Sequence, residues 1–241
     1  MHLTIDIGNT RGKLVVFDEK GNPKAETITD GRTLENMAEF AACHQCRQGI
    51  VSSTIGLTKE AERHLDRLPF PVLRLTGKTP LPIRNRYRTP DTLGTDRLAA
   101  VVGAWTLQPG HNLLVVDCGT CITFDFIDSE GSYRGGNISP GVNMRLKALH
   151  EQTARLPLIA PNGETPEIGY DTATAIRSGV LLGIRNEIEG YIRRMQEKYP
   201  QVSVFLTGGD AINLAFQSDC TIFADDFIVP RGLNQILAYN L

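Results

Sequence analysis

Blocks of like charge, long apolar runs and a paired set of cysteines are all missing from this chain of 241 residues. With 25 basic against 27 acidic residues and a formal net charge of -2, no segment reads as a polyanion-binding tail or a basic membrane anchor. That points to a small-molecule ligand, with neither nucleic acid nor membrane as a partner. No apolar run reaches the length that spans a bilayer. The first strand is expected to begin at residue 3, which leaves no room for a signal peptide. The expected location is therefore cytoplasmic. The 5 cysteines are odd in number, which fits reduced thiols better than a disulfide framework. Two C-x-x-C pairs, Cys43/Cys46 and Cys118/Cys121, invite a zinc reading, but the gap between them far exceeds that of compact zinc modules. Small buried hydrophobes are the better reading of these residues.

What the chain does have is one pattern written twice. Leu3-Thr4-Ile5-Asp6-Ile7-Gly8-Asn9-Thr10 is followed by an apolar run to Phe17-Asp18 and a turn closed by Gly21. Leu114-Val115-Val116-Asp117-Cys118-Gly119-Thr120 is followed by a run to Ile127-Asp128 and a turn closed by Gly131. Each copy reads as a buried strand, an Asp at its end, a glycine turn with a Thr, a second strand and an Asp-x-x-Gly hairpin. A repeat on this scale implies two halves of similar fold, 1–110 and 111–241, with their turns facing one cleft. Glycine at 8 and 119 lets the backbone come close to a ligand. Successive N–H groups of such turns, with the hydroxyls of Thr10 and Thr120, form a concavity suited to phosphate oxygens. Asp6 and Asp117 then offer oxygen to a hard cation. A single copy would read as a plain hairpin with a capping Asp; two copies in matched strand contexts weaken that alternative.

The remaining pattern predicts a third strand near 24–29, a helix across 34–46, a strand at 50–53, an amphipathic helix ending near Leu68 and a strand at 72–75. Residues 77–90, with Pro80, Pro82 and Pro90, read as an irregular surface loop. Thr95 is expected to cap a helix carrying Leu98, Val101, Val102 and Trp105. In the second half a strand near 133–139 precedes a helix carrying Leu146, Leu149 and Leu156. A long helix over 172–199 holds Gly179, Gly183 and Gly190, which permit close packing against a neighbouring element or subunit. A buried strand at 202–206 leads into Thr207-Gly208-Gly209-Asp210-Ala211, and Pro230 opens the terminal helix in its first turn. The order βββαβα in both halves gives an α/β protein with two mixed-sheet halves and helices on the faces.

Gly94-Thr95-Asp96-Arg97 sets a carboxylate beside a guanidinium at a helix N-terminus. Arg binds a carboxylate through two parallel hydrogen bonds, and the helix dipole assists with an anionic substrate. Asp96 can accept a proton from a substrate hydroxyl as that oxygen attacks a γ-phosphate. A capping Asp beside a surface Arg explains the same residues equally well at this level.

Taken in order, these segments resemble the superfamily of acetate and sugar kinases, heat-shock chaperones and actin, and within it the type III pantothenate kinases. Asp6 to Thr10 resembles the first phosphate motif of that family and Asp117 to Thr120 the second. Gly94-Thr95-Asp96-Arg97 resembles its Gly-x-Asp-Arg signature, and residues 135–141 its Gly-Gly-x-Ile-x-Pro-Gly segment. Tyr87 stands at its substrate tyrosine, Asp171-Thr172 at its substrate threonine motif and residues 207–211 at its adenosine motif. The resemblance implies a duplicated actin-like, ribonuclease H-like fold with a nucleotide cleft between the halves. It implies ATP-dependent phosphorylation of pantothenate to 4′-phosphopantothenate, with Asp96 as catalytic base. Asp6, Ile7, Gly8, Asn9, Thr10, Arg11, Gly12, Lys13 and Thr120 would bind ATP and its Mg²⁺. Tyr87, Gly94, Thr95, Asp96, Arg97 and Thr172 would bind pantothenate. Asp6 and Asp117 would be the metal residues, Asp117 for K⁺ or NH₄⁺, and the protein would be a homodimer. A kinase of another hydroxy-acid or sugar, or a nucleotide-dependent regulator, uses the same superfamily fold. Two departures stand out: Cys118 and Cys121 replace small residues beside the second turn, and Asp171 stands where Asn is common.

Overall fold

The computed structural model describes residues 1–8, 11–209 and 221–241. The chain begins with strands β1 (His2–Ile7), β2 (Gly12–Phe17) and β3 (Pro23–Thr29), then helix α1 (Met37–Cys43), β4 (Gln48–Ser53), α2 (Lys59–Asp66) and β5 (Val72–Arg74). These strands form a sheet in the order β3-β2-β1-β4-β5, antiparallel from β3 to β1 and parallel from β1 to β5. Leu3, Ile5, Ile7, Leu14 and Val16 are fully buried and pack with Met37, Ala41, Ala61 and Leu65 of the two helices. The chain continues through β6 (Arg84–Asn85) and α3 (Thr95–Leu107).

The pattern then recurs: β7 (Leu113–Cys118), β8 (Cys121–Ile127), β9 (Ser132–Pro140), α4 (Val142–Glu151), α5 (Thr172–Lys198), β10 (Ser203–Thr207) and β11 (Ile222–Ala224), closed by α6 (Ile228–Tyr239). The second sheet has the order β11-β10-β7-β8-β9-β6. Its core joins Val116, Phe124 and Val204 to Ile176, Val180, Ile184, Ile188 and Ile192, which recur every fourth residue along α5. That spacing keeps one stripe of the helix against the sheet. The repeated hairpins are built alike, since Gly21 has φ +80° and Gly131 φ +74°, the left-handed region that favours glycine. In the first, the N–H groups of Lys20 and Asn22 donate to Asp18 Oδ1 at 2.9 and 2.8 Å. The Asn22 backbone bond and the Lys24 side chain hold the Asp18 carboxyl well below the usual carboxylate range.

The compact units are not two contiguous halves. One comprises Met1–Gly110, Glu130–Arg134 and Phe227–Leu241, the other His111–Ser129 and Gly135–Asp226. The terminal helix, expected in the 111–241 half, packs instead on α3. The cause is a pair of missing side chains. A Cβ at Gly103 would lie 2.0 Å from Ile228 O, and one at Gly232 1.7 Å from Ala99 O, so the helices touch backbone to backbone. His2 Nδ1 adds a 2.9 Å hydrogen bond to Asn234 Oδ1, tying α6 to β1.

Other expectations shift at their edges. The helix expected over 34–46 is confined to α1, because Leu34 at φ 57° and Gln45 at φ 51° leave helical geometry on either side. Leu156 lies beyond the end of α4. The loop at 77–90 contains β6, whose residues Arg84 and Asn85 pair with Ser132 and Tyr133. Gly94, not Thr95, is the N-cap of α3, and no side chain caps that end.

Gly232→Ala tests the close approach of α3 and α6. Alanine gains about 1 kcal/mol of helix propensity, but a methyl group overlapping Ala99 O costs about 1–3 kcal/mol or more. The expected outcome is a lower urea midpoint; a midpoint equal to or above wild type would show that the helices are free to move apart.

Candidate functional site

In the first unit Asp6 sits one residue from the end of β1. It faces Lys13 across the antiparallel ladder and Ser52 across the parallel one. Directly opposed antiparallel residues leave a sheet on the same face, so Asp6 and Lys13 point the same way. The turn beyond β1 is closed by Gly8 N–H donating to Arg11 O at 3.1 Å. Ile7 ends the strand, Arg11 is exposed, and Gly12 starts β2 where a Cβ would meet Thr29 Cγ2 at 2.8 Å. Asn9 and Thr10 fall outside the described residues. The Lys13 ammonium is 3.0 Å from Glu26 Oε2 and 4.5 Å from the centre of the Phe227 ring. Half-exposed pairs of this kind are worth about 0–1 kcal/mol. The Glu26 pair alone would therefore not hold Lys13 back from a phosphate.

Ser52 connects this strand end to the second motif. It is fully buried, and its hydroxyl lies 2.9 Å from Thr95 Oγ1 at the start of α3. Asp6, Ser52 and the Gly-x-Asp-Arg helix start thus form one connected set. A Cβ at Gly94 would sit 2.5 Å from Asp96 Oδ1, so a side chain there would displace that carboxylate. That oxygen accepts the Arg97 N–H at 2.8 Å. Arg97 is only 5% exposed, so it is no surface arginine. Its guanidinium lies 5.8 Å from the centre of the Tyr87 ring, and Tyr87 stacks at 6.1 Å on the fully buried Tyr133. A buried cation needs compensation of this kind, and a ring face supplies part of it. Tyr133 and Ser52 were not singled out from sequence. The one signal for Tyr133 was its place at the start of the third strand of the second copy.

In the second unit Asp117 is the register partner of Thr123 on β8 and of Thr207 on β10. Gly208 follows with φ +96°, and a Cβ there would lie 2.4 Å from Cys118 O and 2.5 Å from Asp117 Oδ1. The glycine turn of 207–209 is therefore pressed onto the Asp117 carboxylate. Asp210 and Ala211 of the same motif lie outside the described residues. The Gly119-Thr120 turn is exposed at Thr120, and its Thr120 carbonyl accepts Gly141 N–H at 3.1 Å. Gly119 itself would have nothing nearer than 3.8 Å to an added Cβ among the described residues, and Gly8 nothing nearer than 3.6 Å. Packing thus does not demand glycine at either position, whereas it does at 141 and 208.

Thr172 is exposed in the first turn of α5. Asp171 before it is the N-cap: its Oδ1 accepts Thr174 N–H at 2.7 Å, and Thr174 Oγ1 returns a bond by accepting Asp171 N–H at 3.1 Å. The backbone and hydroxyl bonds from Thr174 lower the Asp171 carboxyl below its ordinary value. Its carboxylate is accounted for by the helix end.

Among the described residues no three or more His, Cys, Asp and Glu side chains gather as a metal cluster. Mg²⁺ in phosphate-transfer sites is held by one or two carboxylates plus phosphates and water, so single carboxylates are the relevant donors. Asp117, a carboxylate near the end of β7, offers the kind of oxygen that suits a hard cation. Among the described residues no helix is long and apolar enough to cross a membrane.

The fold matches solved structures along nearly the whole chain. A putative 2-dehydro-3-deoxygalactonokinase from Sinorhizobium meliloti aligns with TM-score 0.61 at 13% identity, covering 100% of this chain and 99% of that one. A putative Baf family transcriptional activator from Campylobacter jejuni aligns at 0.63 and 24% identity, covering 99% and 98%. The two mixed sheets, each opening with the same strand-turn-strand and hairpin, thus form a duplicated actin-like fold. Within that class the model of the type III pantothenate kinases matches residues 2–194. A type III pantothenate kinase of Bacteroides fragilis is 50% identical over 241 residues, covering 100% of this chain and 98% of its own. The chain belongs to the type III pantothenate kinase family and is a kinase, with ATP the phosphoryl donor such a family implies.

Asp171→Ala and Asp171→Asn distinguish capping from substrate contact. Asn caps as well as Asp, whereas Ala does not, so Ala should lower the melting temperature and Asn should not. Because the folded carboxyl has the lower pKa, its stabilisation is present above the unfolded value of about 3.9 and is lost as pH falls through the folded value. The melting gap between wild type and Ala should close in acid. A pH-independent gap would remove the carboxylate from the cap.

Proposed function

We propose that the chain transfers the γ-phosphoryl group of ATP to the primary hydroxyl of pantothenate, giving 4′-phosphopantothenate and ADP in the first step of coenzyme A synthesis. The observation that carries this reading is the buried Arg97 beneath Tyr87 with Asp96 at its side. A nucleotide switch has no need of a carboxylate binder beside a base, and a neutral sugar has no need of the arginine. Arg97, Tyr87, Gly94, Thr95 and Thr172 hold pantothenate. As its hydroxyl oxygen bonds to the γ-phosphorus, the bond to the bridging oxygen of ADP breaks and the proton passes to Asp96.

In the first unit Asp6, Ile7, Gly8, Asn9, Thr10, Arg11, Gly12 and Lys13 serve the phosphates and Mg²⁺. In the second unit Thr120 serves a phosphate and Asp117 a monovalent cation, K⁺ or NH₄⁺. When bound, the metal ions neutralise phosphate charge. The protein's own part is positioning and preorganised charge, which is most of what phosphoryl transfer requires.

A coupled ADP-release assay with and without pantothenate tests the reaction. Release should depend on pantothenate, and Asp96→Asn should fold, bind ATP and lose about 10²–10⁴ in rate. Activity within about threefold of wild type would remove Asp96 from the base role.

The family resemblance also favours a homodimer, and α5 carries support for it. An added Cβ at Gly179, Gly183 or Gly190 would meet nothing within 4 Å among the described residues. These glycines do not seat the helix on its own sheet. Gly179 lines an apolar groove of ≈ 610 Å³ with Ala148, Leu149, Ala175, Ile176 and Val180, and a second copy of α5 fits such a surface. On a free helix Gly183→Ala should stabilise by about 0.5–1 kcal/mol. In a helix-paired dimer it should instead weaken association, read as a shift in mass by light scattering. A monomeric wild type with full activity would end this proposal.

A further inference from the structure

Arg145, in the first turn of α4, belongs to none of the motifs above, yet it makes three polar contacts with three separate partners. Its Nε donates to Pro140 O at 2.8 Å, and one Nη donates to Ser139 Oγ at 2.9 Å. The same Nη is ion-paired with Glu187 on α5. Both side chains of that pair are about three-quarters buried, at 24% and 25% exposure, so the pair is shielded from solvent far more than a surface bridge. The planar fork of a guanidinium lets one side chain fix two such acceptors and a carboxylate together.

The segment that Arg145 grips ends at the second phosphate turn. Gly141, next after Pro140, donates its N–H to Thr120 O at 3.1 Å. Its Cα lies so close to the turn that an added Cβ would be 2.2 Å from Gly119 O and 2.6 Å from Thr120 O. Both carbonyls of the turn therefore rest on the Gly141 backbone. In a planar trans peptide the C=O and N–H point in opposite directions. With Gly119 O turned toward Gly141, the N–H of Thr120 in the same peptide is aimed the other way. That N–H and the exposed Thr120 hydroxyl are the donors a phosphate would use.

We propose that Arg145, backed by Glu187, is a positioning residue for nucleotide binding: it clamps residues 139–141 so that the Gly119-Thr120 turn presents its N–H and hydroxyl to a phosphate. The clamp rests on the kinase reading for the identity of the nucleotide, and it touches neither substrate itself.

The test compares Arg145→Met, Arg145→Lys and Glu187→Gln in the full chain, with the KM for ATP, the KM for pantothenate and ADP affinity by calorimetry. Met keeps the apolar stem that lines the groove and removes the fork. It should raise the ATP KM and weaken ADP binding about tenfold, the size expected for losing hydrogen bonds to a charged group, while the pantothenate KM stays within about twofold. Lys keeps the charge and part of the bonding, and should fall between Met and wild type. Gln at 187 leaves the Ser139 and Pro140 contacts intact and should shift ADP affinity less than Met does. If Arg145→Met melts below assay temperature, Ser139→Ala, which removes a single contact, carries the same comparison. An ATP KM unchanged in Met, equal rises in both KM values, or a Lys variant no better than Met would overturn the clamp. Failure of the wild type to phosphorylate pantothenate would sink the kinase reading instead, and the ADP affinities would still decide the role of Arg145.

Discussion

Backbone pressed on backbone at the second Gly-Thr turn is the constraint that organises the second unit. Two stretches of chain bear on it without side chains between them. Gly208 presses on Asp117 and Cys118, and Gly141 on Gly119 and Thr120, where a Cβ would lie 2.2 Å from the Gly119 carbonyl oxygen. A packed interior tolerates little change of volume, so contacts this short fix where each carbonyl and N–H points. The carboxylate of Asp117 gains its surroundings from the same geometry, since the 207–209 turn can lie against it only while residue 208 lacks a side chain.

The first unit solves a different problem, the burial of a charge. A guanidinium taken from water costs several kcal/mol unless its donors and π face are occupied. Arg97 meets part of that demand through the Tyr87 ring, with Tyr133 stacked behind. The Ser52–Thr95 hydroxyl contact then joins this helix start to the strand beside Asp6. Charge burial and strand order thus act on the same few residues. The alternative of a capping Asp beside a surface Arg does not hold, since Arg97 lies in the interior and no side chain caps the start of α3.

Much of this was legible in the sequence, for identifiable reasons. Strand, turn and hairpin are local, and their residues report them: Gly21 and Gly131 stand where positive φ is needed, and the alternation of Ile and Val marks the buried strands. Less legible were features set by distant packing. The placement of α6 on α3 depends on Gly103 and Gly232, far apart in the chain, and nothing in either helix alone announces its partner. Leu34 adopts a positive φ that its own residue type resists, because the surrounding core holds it fully buried. Asp171 looked like a carboxylate at a substrate motif. The bond that defines it, from Thr174 three residues on, is a capping box whose Thr stands where Glu or Gln is the usual signature.

Glycine carries two distinct messages in this chain, and the difference lies in what a side chain would meet. At 103, 136, 141, 208 and 232 it would meet a backbone carbonyl within 2.4 Å, so the residue is explained by the protein's own packing. At 179, 183 and 190 it would meet nothing, although glycine inside a helix costs about 1 kcal/mol relative to alanine. Three such losses along the 27 residues of one helix are not offset by any contact among the described residues. Compensation from outside that set is what the proposed dimer would supply. A second helix lying close along the glycine side would provide it, because backbone-to-backbone approach gains dispersion contacts that a row of methyl groups would prevent. The same helix carries Thr172 at its start and Glu187 past its middle, so whatever packs against it bears on a proposed substrate residue and on the clamp at the second turn.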